Sequence, residues 1–445
     1  MTMDAVLLSR IQFGLTAGFH FIFPPLTLGL TLILLILEGT SYKTASPLYE
    51  KISVFITKIL ALVFVMGVAS GIVLEFSFGT NWSNYSRMVG DIFGAPLAAE
   101  AVFSFFLESV FLGVLVFGRN KISRGAYLVS VFLVFFASHL SGLWIIIANS
   151  WMQTPAGYAI EGGRAVLTDF FAAAINHSTL ERYLHTVVGG WITGSLFVAG
   201  IGAWYLLKNR DIEPARALLR VSLIAFIATA FLQFGTGHAH AVQVAKTQPA
   251  KMASFEALWK TQTGAPMSII GIPDPEAKKT HAEIAIPKLL SLAIYFDPDA
   301  KVQGLDEFPA EEQPSILPVY FTYHAMIGLG SLFAFMALIS IILMVTNRLY
   351  SSRWFLWGLI LAIPLPFISN EVGWMAAEFG RQPWAVYNVL RTADAASVVV
   401  PAWQILLTII MFSVIFALIF TIFIKLLVNI VRNGPDKVRL GYIGE

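Results

Sequence analysis

Long apolar stretches separated by short charged connections dominate the chain. A helix of about 20 apolar residues is long enough to cross ~30 Å of hydrocarbon. Nine such stretches are predicted, near Phe13–Leu37, Ser53–Phe76, Pro96–Gly118, Ala126–Ser150, Leu180–Leu207, Leu218–Ala241, Pro318–Thr346, Trp354–Ile368 and Val399–Val428. The eighth is the shortest, and Pro364 and Pro366 interrupt it. There is no internal repeat and no low-complexity tract. The pattern predicts an all-α fold, a polytopic helical bundle in a membrane. It divides the chain into residues 1–241 with six spans, a connection over 242–317, and residues 318–445 with three spans and a tail.

Nine spans put the termini on opposite sides, and basic residues in short connections set the orientation. One side carries Lys43 and Lys51; Arg119, Lys121 and Arg124; Lys208, Arg210, Arg216 and Arg220; and Arg348 and Arg353. The tail adds Lys425, Arg432, Lys437 and Arg439. The other side carries little beyond Arg10, Arg87, Arg164, Arg182, Arg381 and Arg391. The expected orientation is N-terminus outside and C-terminus cytoplasmic. Met1 to Arg10 precede an apolar span with no small-residue cleavage site after it, so span one is predicted to be a retained anchor. The long connection falls outside. Eight prolines from Pro249 to Pro314 punctuate it, and Ala250–Lys260 suits a short helix. A loop of this length in a compact protein is functional or disordered, and function is the expectation here.

Composition agrees with a lipid environment. Of 445 residues, 57% are hydrophobic and 13% charged, too few charges to cover a soluble domain. The 36 Phe and 11 Trp suit lipid-facing surface and interfacial belts. A net charge of +2 gives no footprint for nucleic acid. The chain has no cysteine, which excludes disulfides, thiolate iron–sulfur clusters and covalent c-type haem attachment. A metal must therefore use His, Met, Glu, Asp or a prosthetic group.

Ionisable groups inside spans are costly and mark candidate function. His20, His185 and Met326 carry the axial donor types of low-spin haem, with glycines nearby to make room for a flat macrocycle. The bland alternative is two hydrogen-bonded histidines and a methionine that packs. Glu100 and Glu108 lie eight residues apart in span three, roughly 12 Å along the axis. They suit a proton relay, or interhelical hydrogen bonds. Glu378 and Arg381 stand in the Glu378-Phe379-Gly380-Arg381-Gln382-Pro383-Trp384 stretch, just outside span eight. A carboxylate can bind iron weakly, and arginine suits propionates; an interfacial loop is the alternative. Lys251 and Glu256, in the outer connection, place a carboxylate where it could take a quinol proton. Solvated loop charges are the alternative. His139, His238, His240 and His281 are expected to be structural or interfacial histidines. Apart from Glu108, near the midplane, all these candidates sort to the outer side.

The motifs resemble subunit I of the cytochrome bd-type quinol oxidases, in their short-loop branch, over essentially the whole chain. The resemblance rests on Ser9-Arg10-Ile11-Gln12-Phe13, Pro25-Leu26-Thr27-Leu28-Gly29, Glu75-Phe76 with Gly79-Thr80-Asn81-Trp82, and Phe93-Gly94-Ala95-Pro96-Leu97. It extends to Phe106-Leu107-Glu108-Ser109, Asn149-Ser150-Trp151-Met152-Gln153, Gln248-Pro249 and, most specifically, Gly380–Trp384. It implies a low-spin haem b on His185 and Met326, and a high-spin haem b and a haem d at His20 and Glu378. It further implies Glu100 and Glu108 near the high-spin pair, Arg381 near propionates, and Lys251 and Glu256 at quinol oxidation. His324 is a departure, standing where some members of the family carry arginine, and it is a neighbouring, weaker ligand candidate beside Met326.

The expected function is quinol oxidation at the outer face and reduction of O2 to water, in a bacterial cytoplasmic membrane, without copper. Proton-motive force arises without pumping, because the half-reactions use protons from opposite sides. A second, haem-free subunit and a very small third one are the implied partners. A haem–copper-type oxidase subunit needs several histidines for copper as well as haem, and only eight exist here, some of them in loops. A secondary transporter would show repeats, and an assembly subunit would have no need for the ligand set.

Overall fold

In the computed structural model, which describes residues 4–435, nine helices among the described residues are long and apolar enough to cross a membrane. Lys437 and Arg439 of the basic tail, and the Met1 start of the anchor, lie outside the described residues. The spans run Ala5–Thr44, Pro47–Gly79, Ser83–Phe117, Arg124–Gln153, Thr179–Leu207, Ile212–Thr247, Ile316–Val345, Arg353–Phe379 and Ala402–Asn433. All nine expected stretches are found, each longer than its apolar centre because polar turns extend it beyond the hydrocarbon.

Span five is the hub, with 89% of its most apolar window buried in protein, whereas span nine has 11%. Small residues explain the difference. A Cβ on Gly29 of span one would fall 2.4 Å from the Gly190 carbonyl and 2.5 Å from the Gly194 Cα of span five. The two main chains touch, as small-residue interfaces allow in a membrane. Span nine has no such stripe and presents Leu, Ile and Val outward, while Phe416 and Phe423 turn inward onto span one.

Prolines break two spans at useful places. Span one stops at Phe21 and resumes at Phe23, where Pro24 and Pro25 lack donors for the preceding turn. His20 lies in that last turn, its carbonyl accepting from Ile22 N–H. Span eight breaks at Pro364 between Arg353–Leu361 and Leu365–Phe379. It runs eleven residues past its expected end at Ile368, so Glu378 lies inside its last turn and not beyond the span. Pro364 kinks the helix without ending it.

Span three contains a π-helical stretch, Glu100–Phe105, four residues after Pro96. At about 100° per residue, eight α-helical steps would turn Glu108 some 80° away from Glu100. The wider π turn takes up that offset. Both acids consequently face span four, where Ser141 donates to Glu100 Oε1 and Ser138 to Glu108 Oε1, each at 2.7 Å.

The 248–315 connection is ordered. Its first helix covers Pro249–Phe255, shorter than the expected Ala250–Lys260, because Ala257 takes a left-handed conformation just after it. An antiparallel hairpin follows, β1 (Met267–Asp274) and β2 (Lys279–Ile286), then a helix at Leu289–Tyr295. Phe255, Leu258, Leu290 and Ile294 pack with Val319 and Tyr323 of span seven into one apolar cluster. The connection is thereby docked on the bundle by hydrophobic burial.

Candidate functional site

The polar groups gather at the end of the bundle that carries this connection. Glu378 is their centre. It pairs with Arg381, one turn on, and accepts from Asn149 Nδ2 and Gln153 Nε2 of span four, each at 3.2 Å. Arg182, in the first turn of span five, donates to Asn149 Oδ1 and lies 5.3 Å over the Trp374 ring. From the other side Lys251 reaches in, and its Nζ donates to Gln153 Oε1 at 2.6 Å. Gln248 holds Gln153 in place by donating to its carbonyl at 2.8 Å. The result is one continuous chain, Lys251–Gln153–Glu378–Arg381, joining the extramembrane helix to span eight.

Gly380 is required for that chain. A Cβ there would meet Lys251 Cγ at 2.7 Å and the Ala376 carbonyl at 2.8 Å. Lys251 is 3% exposed and Arg182 4%, so neither behaves as a loop charge. Burial first, then the neighbouring Arg182 and Arg381, push the Lys251 amine well below its ordinary value, against the pull of Glu378.

Glu256 belongs to a different cluster. It caps the Pro249–Phe255 helix, 4% exposed, and accepts from the Ser268 N–H of β1 at 3.0 Å. Burial pushes its carboxyl up to about 8, with a smaller push from Glu283, while the Ser268 N–H pulls the other way. The structure therefore does not bring Lys251 and Glu256 together, though five residues separate them in sequence.

The ligand candidates sit on spans one, five and seven. His20 Nδ1 lies 3.0 Å from Ser70 Oγ of span two, which leaves Nε2 as its donor to a metal. His185 is flanked by Thr236 and Gln233 of span six, at 3.4 and 3.2 Å from Nδ1. Met326 packs against span eight. Glycines open the space beside all three. A Cβ at Gly71 would stand 3.2 Å from His20 Cε1, at Gly237 3.2 Å from His185 Cε1, and at Gly373 2.9 Å from Met326 Sδ.

The donor set fits haem. Three basic side chains, Arg182, Arg381 and Lys251, share one carboxylate. Among the described residues, Arg182 Nε, Arg381 Nη1, Trp82 Nε1 and Tyr85 OH are buried with no hydrogen-bond partner. Such donors call for an anionic acceptor, the chemistry of a propionate. No three His, Cys, Asp or Glu side chains among the described residues converge as ligands for a bare ion. Single axial donors beside glycine-made space suit a macrocycle instead.

Sequence reasoning missed several of these groups. Arg182 reads as one more connection charge. Asn149 and Gln153 are neutral amides without a periodic signal. Glu371, one of the apolar span's acids, has a buried Oε1 with no partner, and its Oε2 faces Gly18 of span one. Its position between two prolines and the Gly380 signature was the available clue. His240 stands 5.6 Å from the His185 ring, with Nε2 buried and unpartnered, so it is closer to the candidates than an interfacial histidine.

Comparison with known proteins is consistent across methods. A family model described as cytochrome bd terminal oxidase subunit I matches residues 8–435. The chain is 33% identical to cytochrome bd ubiquinol oxidase subunit 1 of Bacillus subtilis, over 98% of this chain and 95% of that protein. It is also 33% identical to cytochrome bd-II ubiquinol oxidase subunit 1 of Escherichia coli, over 98% of each. The bd oxidase structure from Geobacillus thermodenitrificans superposes with a TM-score of 0.91, at 25% identity, covering 97% of this chain and 99% of that one. With its nine spans, its buried Glu378 and Arg381 pair, and a match along nearly its entire length, this chain belongs to the cytochrome bd terminal oxidase subunit I family.

Proposed function

We propose that the chain oxidises quinol at the outer membrane face and houses the site where O2 is reduced to water, building a proton-motive force without pumping. Family membership makes it a multi-pass protein of the cytoplasmic membrane and a subunit of a respiratory oxidoreductase that uses haem and quinol. The relatives named above are subunits 1, so a partner subunit follows; a very small third subunit is part of the proposal.

The observation that carries the reading is the buried chain from Lys251 through Gln153 to Glu378. It links the extramembrane connection, where an amphiphilic quinol has access, to a half-buried carboxylate in the last turn of span eight. His185 and Met326 would hold the low-spin haem b. His20 and Glu378 would hold the high-spin haem b and haem d. Arg381 and Arg182 would face their propionates. Bound haems supply electron transfer and oxygen reduction, chemistry that amino-acid side chains lack.

The chain's own residues do the rest. Lys251, well below its ordinary value, can present a neutral amine or a cation to a quinol oxygen. Glu256, near 8, can accept a proton from a quinol hydroxyl near neutral pH. Protons released there leave to the outside, in the orientation set by the basic connections. Glu108 and Glu100, each held by a serine of span four, would carry protons inward from the cytoplasmic side. Their uptake from one side and release on the other separates charge.

Lys251→Met and Glu256→Gln test the reading. Each is expected to lower quinol oxidation by about tenfold or more, the equivalent of one lost buried hydrogen bond. The reduced-minus-oxidised visible spectrum should stay intact. Unchanged quinol kinetics in both variants, or loss of haem from both, would sink the proposal.

A further inference from the structure

Ser268 of β1 makes three polar contacts at once, and each of them reaches a different partner. Its N–H donates to Glu256 Oε2 at 3.0 Å. Its carbonyl accepts from His324 Nε2 at 3.0 Å. Its hydroxyl lies 2.9 Å from the Tyr320 hydroxyl. His324 and Tyr320 are one turn apart on span seven, and their rings stack at 3.9 Å with 27° between planes. His324 Nδ1 sits 2.9 Å from the Tyr320 carbonyl; a neutral imidazole donates from one nitrogen only, and the Nε2–H tautomer is the one that holds Ser268. Ser268 is 4% exposed and Tyr320 1%, so water is kept from the Glu256 and Tyr320 contacts, while the His324 bond is part-buried.

We propose that His324 is a positioning residue for quinol oxidation, holding the Ser268 peptide so that its N–H stays on the Glu256 carboxyl. The proposal rests on the reading of Glu256 as a proton acceptor for quinol. The Ser268 N–H and carbonyl belong to successive planar peptides joined at its Cα, so a bond to the carbonyl constrains the N–H through φ and ψ, and the Tyr320 contact holds the side chain of the same residue. β1 needs such a clasp. Its pairing with β2 is irregular between Ser268 and Ile270 and again between Ile270 and Ile272, so the ladder alone does not fix the strand at this point.

The clasp acts on a proton equilibrium as well as on geometry. An N–H donor stabilises the charged carboxylate, so the Ser268 bond opposes the rise that burial imposes on Glu256. The other titratable groups toward Glu256 are Glu283 on β2, and Tyr320, Tyr323 and His324 on span seven; Lys251 on its own helix points away to Gln153. Without the clasp the Glu256 carboxyl moves further up. Less of it is then in the proton-accepting form at neutral pH.

The experiment is the pH profile of kcat/KM for quinol in the complete detergent-solubilised oxidase, with the visible spectrum recorded on the same samples. In His324→Ala the rising limb should move up by about one pH unit, with kcat/KM about tenfold lower on its acid side. His324→Gln, which keeps a donor toward the Ser268 carbonyl, should return the limb most of the way. Tyr320→Phe, which keeps the ring and removes only the hydroxyl contact, should move it in the same direction by less. If Glu256→Gln leaves the limb in place, the reading of Glu256 itself fails. If Glu256→Gln abolishes the limb while His324→Ala and Tyr320→Phe leave it where the wild type has it, the clasp is overturned. Loss of the low-spin spectrum in His324→Ala, with Tyr320→Phe unmoved, would assign His324 to the neighbouring Met326 instead and equally overturn it.

Discussion

Lys251 and Glu256 leave the same short helix in opposite directions and meet two kinds of surroundings. Lys251 enters a cluster of charges, where Arg182, Arg381 and Glu378 are linked through the amides of Asn149 and Gln153. Glu256 enters a mostly neutral cluster, held by a main-chain N–H and walled by Phe255, Tyr320 and Tyr323, with Glu283 as the second acid acting on it. The first region balances buried charge with buried charge. The second lets a single acid shift its proton equilibrium. The difference teaches that one loop can serve a redox site by two means, ionic wiring to the bundle and a tuned carboxyl.

The sharpest way to break the comparison is to remove the acid from the charged region. Glu378→Ala leaves Arg182 and Arg381 buried without their counter-ion, a loss of about 3–5 kcal/mol. Thermal unfolding of the purified complex should fall markedly, and pigment analysis should show one haem fewer. Glu256→Ala, by contrast, should leave the haem complement whole. A Glu378→Ala protein with full haem and unchanged melting would erase the distinction between the regions.

Gly380→Ala probes the ionic wiring with a single methyl group. The new Cβ would stand 2.7 Å from Lys251 Cγ, so the lysine stem must move or the turn must shift. Overpacking of this kind costs about 1–3 kcal/mol. Quinol oxidation should weaken along with stability, and the spectrum should be kept. Wild-type quinol kinetics would show that the Lys251–Gln153 bond does not matter to the reaction.

The smallest expected effect sharpens the neutral region. The Glu256 carboxyl is raised from 4.5 to about 8 in the fold. A raised value favours the protonated folded state, so its contribution to stability is complete below 4.5 and is lost as pH rises through about 8. Glu256→Gln cannot ionise. Its melting temperature should therefore fall less than that of the wild type between pH 5 and pH 8.5, by about 2–4 °C. Parallel curves for the two proteins would place the titration elsewhere.

The fold was readable because lipid imposes a strong rule. Backbone groups must pair within each span, so long apolar runs become helices, and all nine are present. The candidate site was readable where a rule is violated, as with His20, His185, Glu100 and Glu108 inside apolar runs, whereas Glu378 was expected just outside span eight. Arg381 was legible from its motif. The sequence was silent on groups that break no rule. Gln153 joins Lys251 to Glu378, yet a neutral amide at a helix end carries no cost that would flag it. Ser268 acts through its main chain, which every residue possesses. The π turn at Glu100 was also hidden, since proline marks where a helix is disturbed and not how it recovers. The loop's hairpin lay beyond reach for a related reason, because its isoleucines read equally well as a short buried helix.

The contact of Gly29 with Gly190 and Gly194 has a consequence for how the molecule ages and adapts. Most helix pairs are separated by a layer of side chains whose rotamers can rearrange as temperature, lipid thickness or lateral pressure change. Here peptide planes abut, and peptide planes have no rotamers. The spacing between spans one and five at this point is thus set by van der Waals contact of two main chains, a fixed gauge that a bilayer of any composition must accept.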